Sequence, residues 1–263
     1  MVNDFLKTIV DHKKEEVANV QNLIPENRLR EEAENRKNIR PFFDTLKEPG
    51  PSGINIISEI KRASPSKGDI CTNLDPALLA NEYEQGGAAA MSVLTDEKFF
   101  KGSPEDFITA RKAVNLPMLR KDFIVSSYQI YESAALEADA VLLIVRILSK
   151  IQLKSYLSLI RELKMDALVE IHSEEDLEFA ANAGARLVGI NNRNLSSFET
   201  DISTSTRLVS MFEPGMIPVA ASGISSKDDI LKNLDAGIFN FLVGESVVCA
   251  KDRIKFLQDL NSL

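Results

Sequence analysis

Eight short apolar runs, spaced by longer amphipathic stretches, constrain this chain of 263 residues more than any other feature. They fall at 54–60, 90–94, 117–120, 140–145, 167–171, 187–190, 217–220 and 239–243. Between them apolar residues recur at helical spacing over 78–85, 104–113, 127–136, 150–163, 174–183, 204–211 and 227–235, and a last helix is expected over 251–260. A strand buried on both faces reads as a continuous apolar run, and parallel pairing of such strands requires a crossover, usually a helix. Eight strand–helix units in roughly 210 residues, without a dinucleotide-binding glycine fingerprint, favour a closed (β/α)8 barrel of the α/β class over an open sheet. Gly86-Gly87, Gly184 and Gly237 each follow a helix, where a residue of positive φ is often needed to end it.

Residues 1–47 differ in texture. Phe5, Ile9, Val17, Val20 and Leu23 follow a loose helical pattern, 28–37 is mostly charged, and Phe42, Phe43 and Leu46 follow. Pro49-Gly50-Pro51-Ser52-Gly53 then breaks the chain. So few apolar positions cannot form a core of their own. The expectation is therefore one (β/α)8-barrel domain over 1–263, of which 1–50 is a helical extension packed on the barrel.

Lys plus Arg total 31 against 39 Asp plus Glu, a formal net charge of −8, which argues against a nucleic-acid partner. A small anion answers instead to local lysines. Two distant cysteines, Cys71 and Cys249, fit a reducing cytoplasm, and with only His12 and His172 besides, no metal centre is expected. The N-terminus carries no signal-like apolar run, and no stretch approaches the roughly 18 apolar residues that span a bilayer. A cytoplasmic protein off the membrane is expected. It is also expected to be monomeric, because no long apolar surface stripe stands out, and to need no cofactor, because no cofactor motif occurs.

In a barrel of this kind, chemistry belongs to the C-terminal strand ends and the loops after them. The first strand ends in Glu59-Ile60-Lys61, and period-two alternation puts Glu59 and Lys61 on one side, inward if Ile60 faces the helices. A carboxylate and an ammonium there suit acid–base work, or else form a structural ion pair. Lys121 and Phe123 end the third strand, Glu170 and His172 the fifth, and Asn191-Asn192-Arg193-Asn194 follow the sixth. Ala221-Ser222-Gly223-Ile224 and Gly244-Glu245-Ser246 follow the last two strands. Small residues there expose backbone N–H groups, which suits a phosphate; tight turns would use the same residues. The residues alone thus lead to a barrel that binds a phosphorylated molecule, with two lysines and two carboxylates at its mouth.

At these segments the sequence closely resembles the indole-3-glycerol-phosphate synthase family. The matching stretches are 59–68 (EIKRASPSKG), 94–103 (LTDEKFFKGS), 119–124 (LRKDFI), 128–132 (YQIYE), 141–144 (VLLI), 168–172 (LVEIH), 189–195 (GINNRNL) and 241–246 (FLVGES). That resemblance implies a carboxy-lyase of tryptophan biosynthesis, closing an indole ring on 1-(2-carboxyphenylamino)-1-deoxyribulose 5-phosphate with release of carbon dioxide and water. It implies Lys121 as general acid, Glu170 as base, Lys61 as the lysine that binds the substrate carboxylate or assists dehydration, and Glu59 as an aid to proton transfer. Phe100, Phe123 and Leu142 match positions around the anthranilate ring, and Leu242 is placed with the substrate-binding residues. Asn191 and Arg193 match the loop that positions the substrate. Ser64, Ser222, Gly223, Gly244, Glu245 and Ser246 match the phosphate side, Glu245 through its backbone N–H.

Two positions depart from the family pattern. Ala221 stands where that pattern has Glu, so a carboxylate that faces the substrate is absent and a weakened synthase is the expectation. Glu137 stands where the pattern has Gly, at a helix end where the change is expected to matter little. Two alternatives stay open on the residues alone. One is another phosphate-binding barrel isomerase, the other a homologue that binds a phosphorylated ligand without turnover.

Overall fold

A computed structural model describes residues 2–194 and 198–263. Eight parallel strands form a closed barrel: β1 (Asn55–Ile60), β2 (Ala90–Leu94), β3 (Met118–Lys121), β4 (Ala140–Ile144), β5 (Asp166–Ile171), β6 (Leu187–Asn191), β7 (Ile217–Ala221) and β8 (Asn240–Val243). Each pairs with its neighbours in sequence, and β1 closes the ring against β8 with Ile57 opposite Leu242. The expected strands match these bounds within one or two residues, because continuous apolar runs are what a sheet covered on both faces requires.

Alternation divides the core in two. Ile56, Ile60, Val93, Val141, Val169, Ile190 and Phe241 point outward to the helices, whereas Ile57, Leu119, Leu142, Leu168, Val219 and Leu242 fill the barrel. Ile60 therefore faces the helices and Glu59 faces the interior, as period two requires. Surrounding helices begin on side-chain caps. Ser126, Ser149 and Ser226 form capping boxes, and Ser103 and Ser173 accept from the backbone N–H three residues on.

The sequence before β1 forms three helices, α1 (Val2–Leu23), α2 (Glu26–Glu34) and α3 (Phe42–Leu46). Phe42 and Leu46 are fully buried and close the bottom of the barrel, where Asn240 donates to the Leu46 carbonyl at 3.1 Å. Burying two such side chains contributes about 1.5–3 kcal/mol each. Val17 of α1 and Leu29 and Ala33 of α2 join the outer core, but Leu23, read as part of the apolar face, is 82% exposed. It ends the helix just before the Ile24-Pro25 break, whereas Ile24 packs against the core and its carbonyl accepts from Tyr128 Oη at 3.0 Å.

Other details depart from the sequence reading. The loop after β1 folds into a two-residue hairpin, Ala63–Ser64 against Gly68–Asp69, too short for any periodicity to reveal. Gly87, Gly184 and Gly237 take positive φ, but Gly86 stays right-handed. Glu137 has φ 62°, the left-handed region that a glycine would occupy freely and that costs other residues about 1–2 kcal/mol. Its carboxylate accepts from Asn38 at 3.4 Å.

Candidate active site

A cavity of about 520 Å3 opens at the C-terminal end of the strands, within the range of small-molecule sites. Every residue to which the resemblance gives a role lines it: Glu59, Lys61, Ser64, Phe100, Lys121, Phe123, Leu142, Glu170, Asn191, Arg193, Ser222, Gly223, Leu242, Gly244, Glu245 and Ser246; His172, Asn192 and Asn194, also noted at strand ends, do not. Leu195, the last residue of the matched 189–195 stretch, lies outside the described residues.

The polar wall is a chain of alternating charges. Lys61 Nζ lies 2.8 Å from Glu59 Oε1, and Lys121 Nζ lies 4.0 Å from Glu59 Oε2 and 3.8 Å from Glu170 Oε2. Glu59 is buried, and its Oε2 has no hydrogen-bond partner among the described residues, so it is open to a proton or a substrate donor. Glu170 Oε1 takes two contacts, from His172 Nε2 at 3.1 Å and Asn191 Nδ2 at 3.2 Å. Burial opposes ionisation of Glu170. Burial is the largest single influence, but Lys121, His172 and Asn191 together outweigh it and bring the carboxyl down to about 2.

Opposite stands an apolar wall. Phe100 and Phe123 lie with ring centroids 6.0 Å apart, and Leu142 and Leu242 project from inside the barrel. Phe100 ends a short helix, Glu97–Phe100, that Asp96 caps through Phe99 N at 2.7 Å. The next carboxylate, Asp122, accepts from Phe123 N at 2.8 Å and Thr95 Oγ1 at 2.7 Å. Two buried aspartates thus hold the loops that carry the two aromatic rings.

The third wall is built from tight turns. Ser222 and Gly223 both have positive φ, and a Cβ on Gly223 would collide with the Thr200 methyl. A Cβ on Gly244 would run into Glu59 Oε1 and displace that carboxylate. Ser246 Oγ donates to the Ile224 carbonyl at 2.9 Å, tying the loop after β8 to the loop after β7. Arg193 reaches across to Ser66 Oγ at 2.6 Å and to Glu245 at 3.8 Å, and Lys67 meets Glu245 at 3.5 Å.

Sequence reasoning missed one whole side of the cavity. Phe5, Leu6 and Ile9 of α1 line it, as do Ser66 and Lys67 of the hairpin. An amphipathic pattern shows that a helix has a buried face but not what covers it. Ser66 and Lys67 lay within the quoted 59–68 stretch and gave the one available signal.

A closed parallel barrel with acid–base side chains, an aromatic wall and glycine-rich turns gathered at one rim defines a (β/α)8-barrel enzyme. Its particular kind follows from similarity along the chain. The family model of indole-3-glycerol phosphate synthase matches residues 6–260. Proteins named indole-3-glycerol phosphate synthase from Desulfosudis oleivorans and Syntrophobacter fumaroxidans are 55% and 51% identical over 258 and 251 residues; each alignment spans the same share of both chains, 98% in the first and 95% in the second. The chain belongs to the indole-3-glycerol phosphate synthase family, decarboxylating lyases of tryptophan biosynthesis.

Among solved structures, thiamine phosphate pyrophosphorylase from Pyrococcus furiosus matches with TM-score 0.62 at 17% identity, covering 82% of this chain and 95% of that one. KGPDC from Streptococcus mutans matches with TM-score 0.61 at 15% identity, covering 79% and 95%. At such identities the likeness is one of fold. No helix among the described residues is long and apolar enough to cross a membrane.

Proposed function

We propose that the chain closes the indole ring of 1-(2-carboxyphenylamino)-1-deoxyribulose 5-phosphate with Lys121 as general acid and Glu170 as base. The observation that carries these roles is the alternating row Lys61, Glu59, Lys121, Glu170 facing the aromatic pair Phe100 and Phe123 across one cavity. The anthranilate ring stacks on the apolar wall beside Leu142 and Leu242. Its carboxylate meets Lys61, and the phosphate takes the backbone N–H groups of the turns at Ser222-Gly223 and Gly244-Glu245-Ser246 with Ser64, as Arg193 exchanges Glu245 for the incoming anion. Lys121 protonates the ribulose carbonyl as the carboxylated ring carbon attacks it. Loss of carbon dioxide restores the aromatic ring. The new hydroxyl then leaves as water with a proton from a lysine, while Glu170 removes the proton that forms the indole double bond and Glu59 relays protons between Lys61 and Lys121.

Ala221 ends β7 on the cavity wall, where the family pattern has Glu. A fluorescence assay for indoleglycerol phosphate is expected to detect product from the chain as it stands. Ala221→Glu is expected to raise kcat/KM by about ten- to a hundredfold, the scale of one hydrogen bond to a charged group. No product from either protein would remove the assignment and leave a ligand-binding homologue.

The whole chain, 1–263, acts as one domain with 1–50 as its extension, and it works as a monomer in the cytoplasm without a cofactor. Supporting this, the large exposed apolar side chains among the described residues, Leu23, Ile39, Leu78, Ile151, Met211, Leu231 and Leu263, are scattered along the chain, and Cys71 and Cys249 are unpaired. A sedimentation mass of twice the chain would overturn the monomer.

A further inference from the structure

His172 belongs to no wall of the cavity, yet its side chain is only 4% exposed and its ring nitrogen meets the candidate base. Its backbone N–H is held by Asp176 Oδ2 at 2.8 Å, and that carboxylate also accepts from Arg146 Nε at 2.8 Å. The remaining ring nitrogen, Nδ1, is buried without a partner among the described residues. A buried N–H that finds no acceptor is costly, while a bare nitrogen in the same place costs less. The ring is therefore the tautomer with its proton on Nε2, and it donates to Glu170 Oε1.

That donor and Asn191 both occupy Oε1. Oε2 is left facing Lys121 at 3.8 Å and the cavity. The charged and titratable groups around Glu170 are thus His172 from its own strand end, Lys121 from β3, and Glu59 from β1 beyond that lysine.

We propose that His172 is a positioning residue of the reaction: its Nε2–H fixes the Glu170 carboxylate so that one oxygen alone presents to the substrate proton. This rests on the reading of Glu170 as the base. Without the donor the carboxylate can rotate between its two oxygens and loses one of the contacts that favour its ionised form, so its pKa rises.

The test is steady-state kinetics across pH 3–9, a window that reaches down toward the low Glu170 pKa, for the full chain carrying His172→Met, His172→Gln or Glu170→Gln. His172→Met is expected to lower kcat about tenfold with KM little changed, and to move the acidic limb of the kcat profile to higher pH. His172→Gln, whose amide N–H reaches the same oxygen, is expected to restore most of the rate and the limb. Should methionine unfold the protein by circular dichroism, His172→Asn, whose amide stops short of Glu170, supplies the contrast with glutamine. An unchanged profile, or a loss that glutamine does not restore relative to methionine or asparagine, overturns the proposal. Full activity in Glu170→Gln would instead remove Glu170 as base, a result distinct from an inactive Glu170→Gln beside an unaffected His172→Met.

Discussion

Replacing Lys121 with methionine is expected to lower kcat by about 10²–10⁴-fold, the usual contribution of a positioned general acid, with the fold intact by circular dichroism. Two features make this the largest catalytic effect in the site. Among the described residues the Lys121 ammonium makes no direct hydrogen bond, and its two carboxylate neighbours stand back at 4.0 and 3.8 Å. It is thus held by charge and free to donate, whereas Lys61 is tied to Glu59 at 2.8 Å. The same change removes the strongest charge favouring ionised Glu170, so any residual activity is expected to need a higher pH. Single-turnover measurement of indoleglycerol phosphate reads both effects. If Lys121→Met kept a tenth of the rate while Lys61→Met kept none, the acid would be Lys61.

Lys13→Met is expected to be the most destabilising single change, by about 3–5 kcal/mol, because it strands buried Asp96 without its cation and leaves Asp122 with Arg120 alone. Lys13 is fully buried, and its ammonium lies 2.9 Å from Glu16, 3.0 Å from Asp96 and 3.0 Å from Asp122. Burial disfavours the charge on Lys13, but Asp122 and Asp96 overcome it and raise its pKa. One side chain of α1 thereby joins the two aspartates that position Phe100 and Phe123. The loss corresponds to a fall in Tm on the order of 10 °C.

The pH dependence of that loss has a definite sign. Burial opposes ionisation of Asp122, yet Arg120 and then Lys13 bring its carboxyl down to about 2, below the ordinary aspartate range. A folded pKa below the unfolded one contributes stability that is full above the unfolded value and lost as pH falls through the folded one. With Lys13 gone the folded pKa rises, so acid unfolding begins at higher pH. Thermal melts between pH 3 and 7 test this, and a Tm within two degrees of the parent throughout would sink it. Glu16→Gln, at the solvent edge of the cluster, is expected to cost far less.

What the sequence determined by itself was local, or periodic, or both. Continuous apolar runs made buried parallel strands, and alternation in Glu59-Ile60-Lys61 set two functional groups inward with one apolar side chain outward. Serines at helix starts fixed the helix bounds, and these signals work because their partners lie within a few residues. The matched stretches carried the family and with it much of the cavity wall between Glu59 and Ser246, since residues at successive strand ends converge once a barrel closes.

Only the tertiary structure decided where α1 goes, that Phe5, Leu6 and Ile9 roof the cavity, and that a buried lysine bridges Asp96 and Asp122. A charged residue in a charged helix reads as solvated until its partners, more than eighty residues away, are brought against it. The contact of His172 with Glu170 also had to wait for the folded strand end, whereas Glu137, read as replacing Gly at a helix end, does take the left-handed conformation. Long-range hydrogen-bond partnership belongs to the assembled packing, while sequence spacing records only what each segment asks of its nearest neighbours.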